Sequence, residues 1–154
     1  MRIYLPATLA ELDTSTGLTP RVVHAVTAGL RAALPDEDEE GLEYAAQLLA
    51  ADDSLDLLER MPPGRRRRVV VAADVPDDLV EALDEPDHAP SAIRLVAGVG
   101  WGDVACAHVD EQAAESDVDA TLAGDDDAAE RLAERDLLWY DSTELAALAR
   151  GTAR

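Results

Sequence analysis

The sequence points to the α+β class, with a mixed or antiparallel sheet in a single layer packed by helices. Three observations lead there. Short apolar, β-branched runs such as RRVVVAADV (67–75) recur between stretches of helical character. GLEYAAQLLAADDSLDLLERM (41–61) places Tyr44, Leu48, Ala51, Leu55 and Leu58 at spacings of three and four, one apolar stripe along a helix. Proline and glycine clusters separate these stretches, and none is long enough to act as a linker. A chain of 154 residues is therefore expected to form one domain over 1–154 with a substantial core.

Taken in order, RIYLPAT (2–8) alternates as a strand does. TLAELDTS (8–15) follows as a short helix, with Thr8 and Glu11 at capping-box spacing. In RVVHAVTAGLRAAL (21–34), VVHAV fits a short strand, and Thr27 fits the cap of a helix that stops before Pro35. The acids of DEDEE (36–40) suit the start of the long helix, where the dipole favours negative charge. Pro62-Pro63-Gly64 ends it. RRVVVAADV is apolar throughout, as a central strand covered on both faces would be.

PDDLVEALD (76–84) reads as a short helix opened by Pro76. SAIRLVAGV (91–99) and DVACAHVDE (103–111) read as a hairpin closed through Gly100-Trp101-Gly102. Helical pieces flank Gly124. LLWYD (137–141) is a last strand, expected to bury Leu137, Leu138 and Trp139, and TELAALAR (143–150) a terminal helix. Without its short insertions, this order approximates βαββαβ, the ferredoxin-like plan, with one extra strand.

The formal charge of −20 keeps such a protein soluble and repels nucleic acid and anionic membranes. All 13 basic residues are arginine, and phenylalanine is missing, a bias typical of a high-GC genome; a halophile's acidic surface is the alternative source. Cys106 is the one cysteine, so no internal disulfide can form. With no apolar run near 18 residues and a strand starting at residue 2, a cytoplasmic location without membrane contact is expected.

Three stretches together, MRIYLPATLAEL, RRVVVAADVPD with AHVDE, and LLWYDSTEL, resemble an actinobacterial family of small acidic cytoplasmic proteins, a domain of unknown function. That resemblance implies no activity, cofactor or catalytic residue, and it favours the high-GC account of the composition.

Several constellations bear on chemistry. Arg65-Arg66-Arg67-Arg68 is the concentrated basic stretch. In a strand Arg66 and Arg68 would share one face and Arg65 and Arg67 the other, pairing with acidic helices. As a ligand site the run would take a phosphate-bearing small molecule or RNA. The acidic surroundings and the lack of interleaved aromatics argue against nucleic acid. Cys106, His108 and Asp110 lie two apart, so a strand would project them together as a metal row or an acid–base pair. Four ligands do not assemble from this chain without His24 and His88 converging, so no metal site and no cofactor are expected. His24 with Tyr4 and Thr27 is a second polar candidate, and Trp101 at its turn is a contact anchor or a side chain folded onto the core. GVGWGD (98–103) lacks the spacing of a dinucleotide fingerprint and the chain lacks a lysine for a phosphate loop.

These features favour a non-enzymatic module that binds a protein partner, a second copy through a sheet edge or face being one form of it. The alternatives are a small-molecule-binding or catalytic domain using His24 and His108, and an acidic regulator that mimics nucleic acid. The enzymatic alternative requires His24, His108 and Tyr4 to line one cleft.

Overall fold

Val69, Val70 and Val71 have no accessible surface, so the strand that carries them is covered on both faces as its composition demands. A computed structural model describes residues 1–151, so the last three residues of the expected 1–154 domain lie outside it. Seven strands form one antiparallel sheet: β1 (Arg2–Ala7), β2 (Val22–His24), β3 (Val69–Asp74), β4 (Val80–Glu81), β5 (Ala92–Leu95), β6 (Val104–Val109) and β7 (Leu138–Asp141). Their order is β4-β5-β2-β1-β3-β6-β7. Five helices accompany them: α1 (Ala28–Ala33), α2 (Glu39–Leu58), α3 (Glu115–Leu122), α4 (Asp126–Glu134) and α5 (Leu145–Arg150).

The α+β class and the antiparallel sheet are as expected. The strand order departs from the ferredoxin-like plan. Strands β2 and β3 both run antiparallel to β1 and flank it, with α1 and α2 between them in sequence, a split βαβ unit. The chain then crosses to add β4 and β5 beyond β2, and returns to add β6 and β7 beyond β3.

This crossing overturns the expected hairpin. Strands β5 and β6 are separated by β2, β1 and β3, and 91–99 ends by exchanging backbone hydrogen bonds between Val99 and Leu18, both 2.8 Å. The approach is so close that a Cβ on Gly17, itself at φ +90°, would meet the Val99 carbonyl oxygen at 2.1 Å. Such a long-range backbone contact leaves no local mark in the sequence. The segment 76–84 is also not a helix: a 3-10 turn over Asp77–Leu79 leads into β4, whose Val80 and Glu81 pair with Leu95 and Arg94.

One sheet face packs Tyr4, Val70, Ala72 and Cys106 against Leu42, Ala46, Ala50 and Ala51 of α2. The buried row on α2 is Leu42, Ala46, Ala50, Ser54 and Leu58. The expected stripe shares only Ala51 and Leu58 with the buried set; Leu55 is half-buried, and Tyr44 and Leu48 face out. The reason is steric: a ridge of alanines lets the helix lie close to the sheet, where bulkier side chains would hold it off. Ser54 uses that closeness, donating to the Ala7 carbonyl at 2.8 Å and accepting from Val69 N–H at 2.9 Å. The helix starts at Asp38, whose carboxylate accepts from Gly41 N–H at 2.8 Å.

The other face buries Ile3, Leu5, Val71 and Val109 beneath Leu9, Leu12 and α5. Thr8 and Glu11 form the expected capping box on the 3-10 turn Leu9–Asp13, and Asp141 with Glu144 form another ahead of α5. The last strand does not bury the residues expected: Leu138 and Trp139 are exposed, and Leu145 and Leu148 of α5 supply the buried side chains instead. Leu148→Ala is therefore expected to cost about 2–5 kcal/mol of stability. Trp139→Ala should stay within about 0.5 kcal/mol of the parent. Urea unfolding of the two variants checks the ranking, and the reverse order would place the core on the wrong side of β7.

Candidate functional site

The arginine run precedes β3 rather than lying in it, and each guanidinium is bound by the protein itself. Gly64 at φ +111° turns the chain into Arg65, which sits at φ +55°. Arg65 donates to the Leu148 and Ala149 carbonyls at 3.0 and 2.9 Å, satisfying the C-terminal end of α5. Arg66 and Arg68 are the buried members. Arg66 pairs with Asp119 at 2.7 Å and reaches the Met61 carbonyl, while Arg67 pairs with Glu115 at 2.5 Å. Arg68 grips Asp110 with two hydrogen bonds of 2.8 Å and donates to the Leu132 carbonyl at 3.2 Å. Asp110 has no accessible surface. It is thus the partner of Arg68, not of His108, and the expected Cys106–His108–Asp110 row is broken because Asp110 lies past the end of β6.

His24 is buried between Asp53 (Nε2 to Oδ2, 2.6 Å) and Ser91 (Nδ1 to Oγ, 2.7 Å). An ionised carboxylate only accepts, so Nε2 donates to Asp53, while Nδ1 shares a hydrogen bond with the Ser91 hydroxyl. Serine, histidine and aspartate are the components of a nucleophilic triad. Here, however, Ser91 is fully buried, and its hydroxyl is closed to a substrate. The set ties β2, α2 and the approach to β5 together. Tyr4 pairs with His24 across β1 and β2 but faces a separate recess of about 140 Å³ beside Glu43. Burial, then the Glu43 charge, pushes its phenol up. Thr27 caps α1 through Leu30 N–H and donates to the Pro90 carbonyl. Trp101 is folded back: its indole N–H donates to the Thr14 carbonyl at 2.6 Å, and the ring packs on the core. His24, Tyr4 and His108 therefore occupy three different places, and the cleft that an acid–base reading needs does not assemble from them.

His108 lies on the floor of an open groove of about 470 Å³ beyond the edge of α2. Tyr44, Gln47 and Leu48 form the α2 wall; His108 and Trp139, paired across β6 and β7, form the floor; Arg135, Asp136 and Leu137 close one end. Burial, then the Arg2 charge, holds the His108 imidazole below its ordinary value. Its Nε2 is 3.8 Å from the Cys106 sulfur, whose thiol is pushed up by burial. Both members are neutral near pH 7, which is not the thiolate–imidazolium state of a cysteine nucleophile. What the groove offers is apolar and aromatic surface. Trp139 is 60% exposed, Tyr44 49% and Leu48 40%. Sequence reasoning placed Tyr44 and Leu48 in the core and did not single out Asp136. The available signal was an excess of bulky apolar side chains on α2 over what its alanine ridge could bury.

An antiparallel sheet with one long helix on one face, and an open groove between Tyr44 and Leu48 of that helix and Trp139 of β7, defines an α+β protein. The chain belongs to a family of unknown function, DUF6912, whose model matches residues 1–149. No curated protein and no solved structure matches it. Among the described residues no helix is long and apolar enough to cross a membrane, and no group of three or more His, Cys, Asp or Glu is placed to hold a metal ion.

Two measurements test the electrostatics. The sequence places the arginines in exposed pairs, each worth about 0–1 kcal/mol. The burial of Asp110 raises the expected cost: Asp110→Ala or Arg68→Gln leaves one charge stranded and should lose about 3–5 kcal/mol. Breaking the exposed Arg2–Asp74 pair should cost less than about 1 kcal/mol. Equal losses in denaturant titrations would contradict this placement. For His108 the folded value lies below the ordinary 6.5. Its contribution to stability is therefore fully present above that pH and lost as pH falls through it toward the folded value. The melting temperature of the parent relative to His108→Gln should drop between pH 7.5 and 5; a flat difference would show an imidazole free in water.

Proposed function

We propose that this protein is a non-enzymatic binding module that takes a protein partner in the groove beside β7. One observation carries the reading: three large apolar side chains, Tyr44, Leu48 and Trp139, stand exposed around a single concavity. Tryptophan and tyrosine at such positions are the usual anchors of protein interfaces. Monomeric proteins rarely leave such patches open without use.

The sheet edge supports the same reading. β7 is the last strand in the order. Asp141 N–H donates to the Glu144 carboxylate at 2.8 Å, away from β6. Residues two apart in an antiparallel strand share that orientation, so the Trp139 peptide group also faces outward. A partner strand could pair there while its side chains enter the groove. The expected outcome is that tagged parent protein retains a partner from a native-like host, or self-associates at micromolar concentration by sedimentation. Trp139→Glu should lose that interaction with its melting temperature within a few degrees of the parent. Absence of both partner and self-association would overturn the proposal.

A further inference from the structure

We infer that the groove seats a cationic side chain, arginine above all, carried on an extended segment of the partner, an inference that rests on the protein-binding reading above. Tyr44 on α2 and Trp139 on β7 place two exposed aromatic rings, one on the wall and one on the floor, in a single concavity. The faces of such rings carry negative potential and attract a cation brought within about 6 Å. Asp136 at the closed end supplies a full charge. Its one described partner is the Tyr44 hydroxyl, which donates to Oδ1 at 3.4 Å, a long bond that leaves most of the carboxylate's acceptor capacity open. Among the described residues no cation pairs with Asp136, whereas the arginines at the groove are already neutralised. Arg68 is held by Asp110, and Arg135 by Glu111 and Asp117. The groove therefore combines two π faces with one uncompensated negative charge.

Charge decides between occupants. A second copy brings its own −20 to the contact, so two copies repel before any groove is filled. A basic segment is drawn in by the same field. Arginine fits better than lysine, because its planar guanidinium stacks on an indole while offering two parallel N–H groups to a carboxylate.

The test uses the full chain with Trp101→Phe, which leaves Trp139 as the single indole reporter. The probe is a blocked octapeptide alternating arginine with valine, titrated at about 150 mM salt, where long-range attraction is screened. The expected result is a saturable change in Trp139 emission at micromolar peptide. Asp136→Asn and Tyr44→Ala should each weaken binding at least tenfold. Asp87→Asn, which removes the same charge near the opposite edge of the sheet, should change it less than twofold. A lysine–valine peptide should bind several-fold more weakly, and a glutamine–valine peptide not at all. Equal effects of Asp136→Asn and Asp87→Asn, or no change in emission, would overturn the inference, since the acidic surface as a whole would then account for any binding. If the glutamine peptide binds as tightly as the arginine peptide, the cation is irrelevant and the inference falls, but the groove still binds protein. Loss of the protein-binding reading shows separately, as a partner or self-association that Trp139→Glu leaves untouched.

Discussion

Arg68 and Asp110 hold together elements that share no neighbouring sequence. The Asp110 carboxylate accepts from the guanidinium and from Arg68 N–H at 2.9 Å, while Asp110 N–H donates to the Arg68 carbonyl at 3.1 Å. The pair thus continues the β3–β6 ladder beyond its last strand residues. The same guanidinium reaches Leu132, docking α4 onto the end of the sheet. Charges so fully removed from water are tolerated only when their buried polar atoms find partners, and among the described residues no buried side-chain nitrogen or oxygen lacks one. The demand explains the clustering of arginines. Four adjacent cations entering the sheet meet the acids of α3, the carbonyls of α2 and the end of α5 in turn, so the run works as a clasp among the flanking helices.

How far this was legible in the sequence follows from the range of the contacts. β3, α2 and the Thr8–Glu11 capping box depend on neighbouring residues and were readable. The run of arginines was read as a partner of acidic helices; Arg66 and Arg67 do meet acids of α3, whereas Arg65 takes carbonyls of α5 and Arg68 takes Asp110 beyond the end of β6. The hairpin and the α2 stripe failed for the same reason in two guises: burial belongs to the whole sheet. The crossing of 96–103 depends on Leu18 meeting Val99 across about 80 residues of chain, and nothing at either end announces it. The stripe was drawn through the largest apolar residues, although alanines made the closer fit.

The candidate site was half legible. His108 was visible as a residue of interest and Trp139 as a residue of the last strand, but their alignment across β6 and β7 required the register. Asp110 was assigned to the wrong neighbour because alternation along a strand holds only while the strand lasts. The groove itself lies between residues far apart in the chain, Tyr44 and Leu48 of α2 and Trp139 of β7, so only the fold brings its lining together.

The central place of β1 has a consequence for how the chain comes to be folded at all. β1 is the middle strand of the seven and its partners lie far along the chain: Arg2 lies opposite Asp74, and β3 in turn requires β6, whose last residue is Val109. During synthesis an apolar segment must wait while about a hundred residues emerge before its sheet can close. Contacts of such sequence separation form slowly. An acidic chain is suited to that delay, because unfinished molecules of one sign hold each other apart until the last strands arrive.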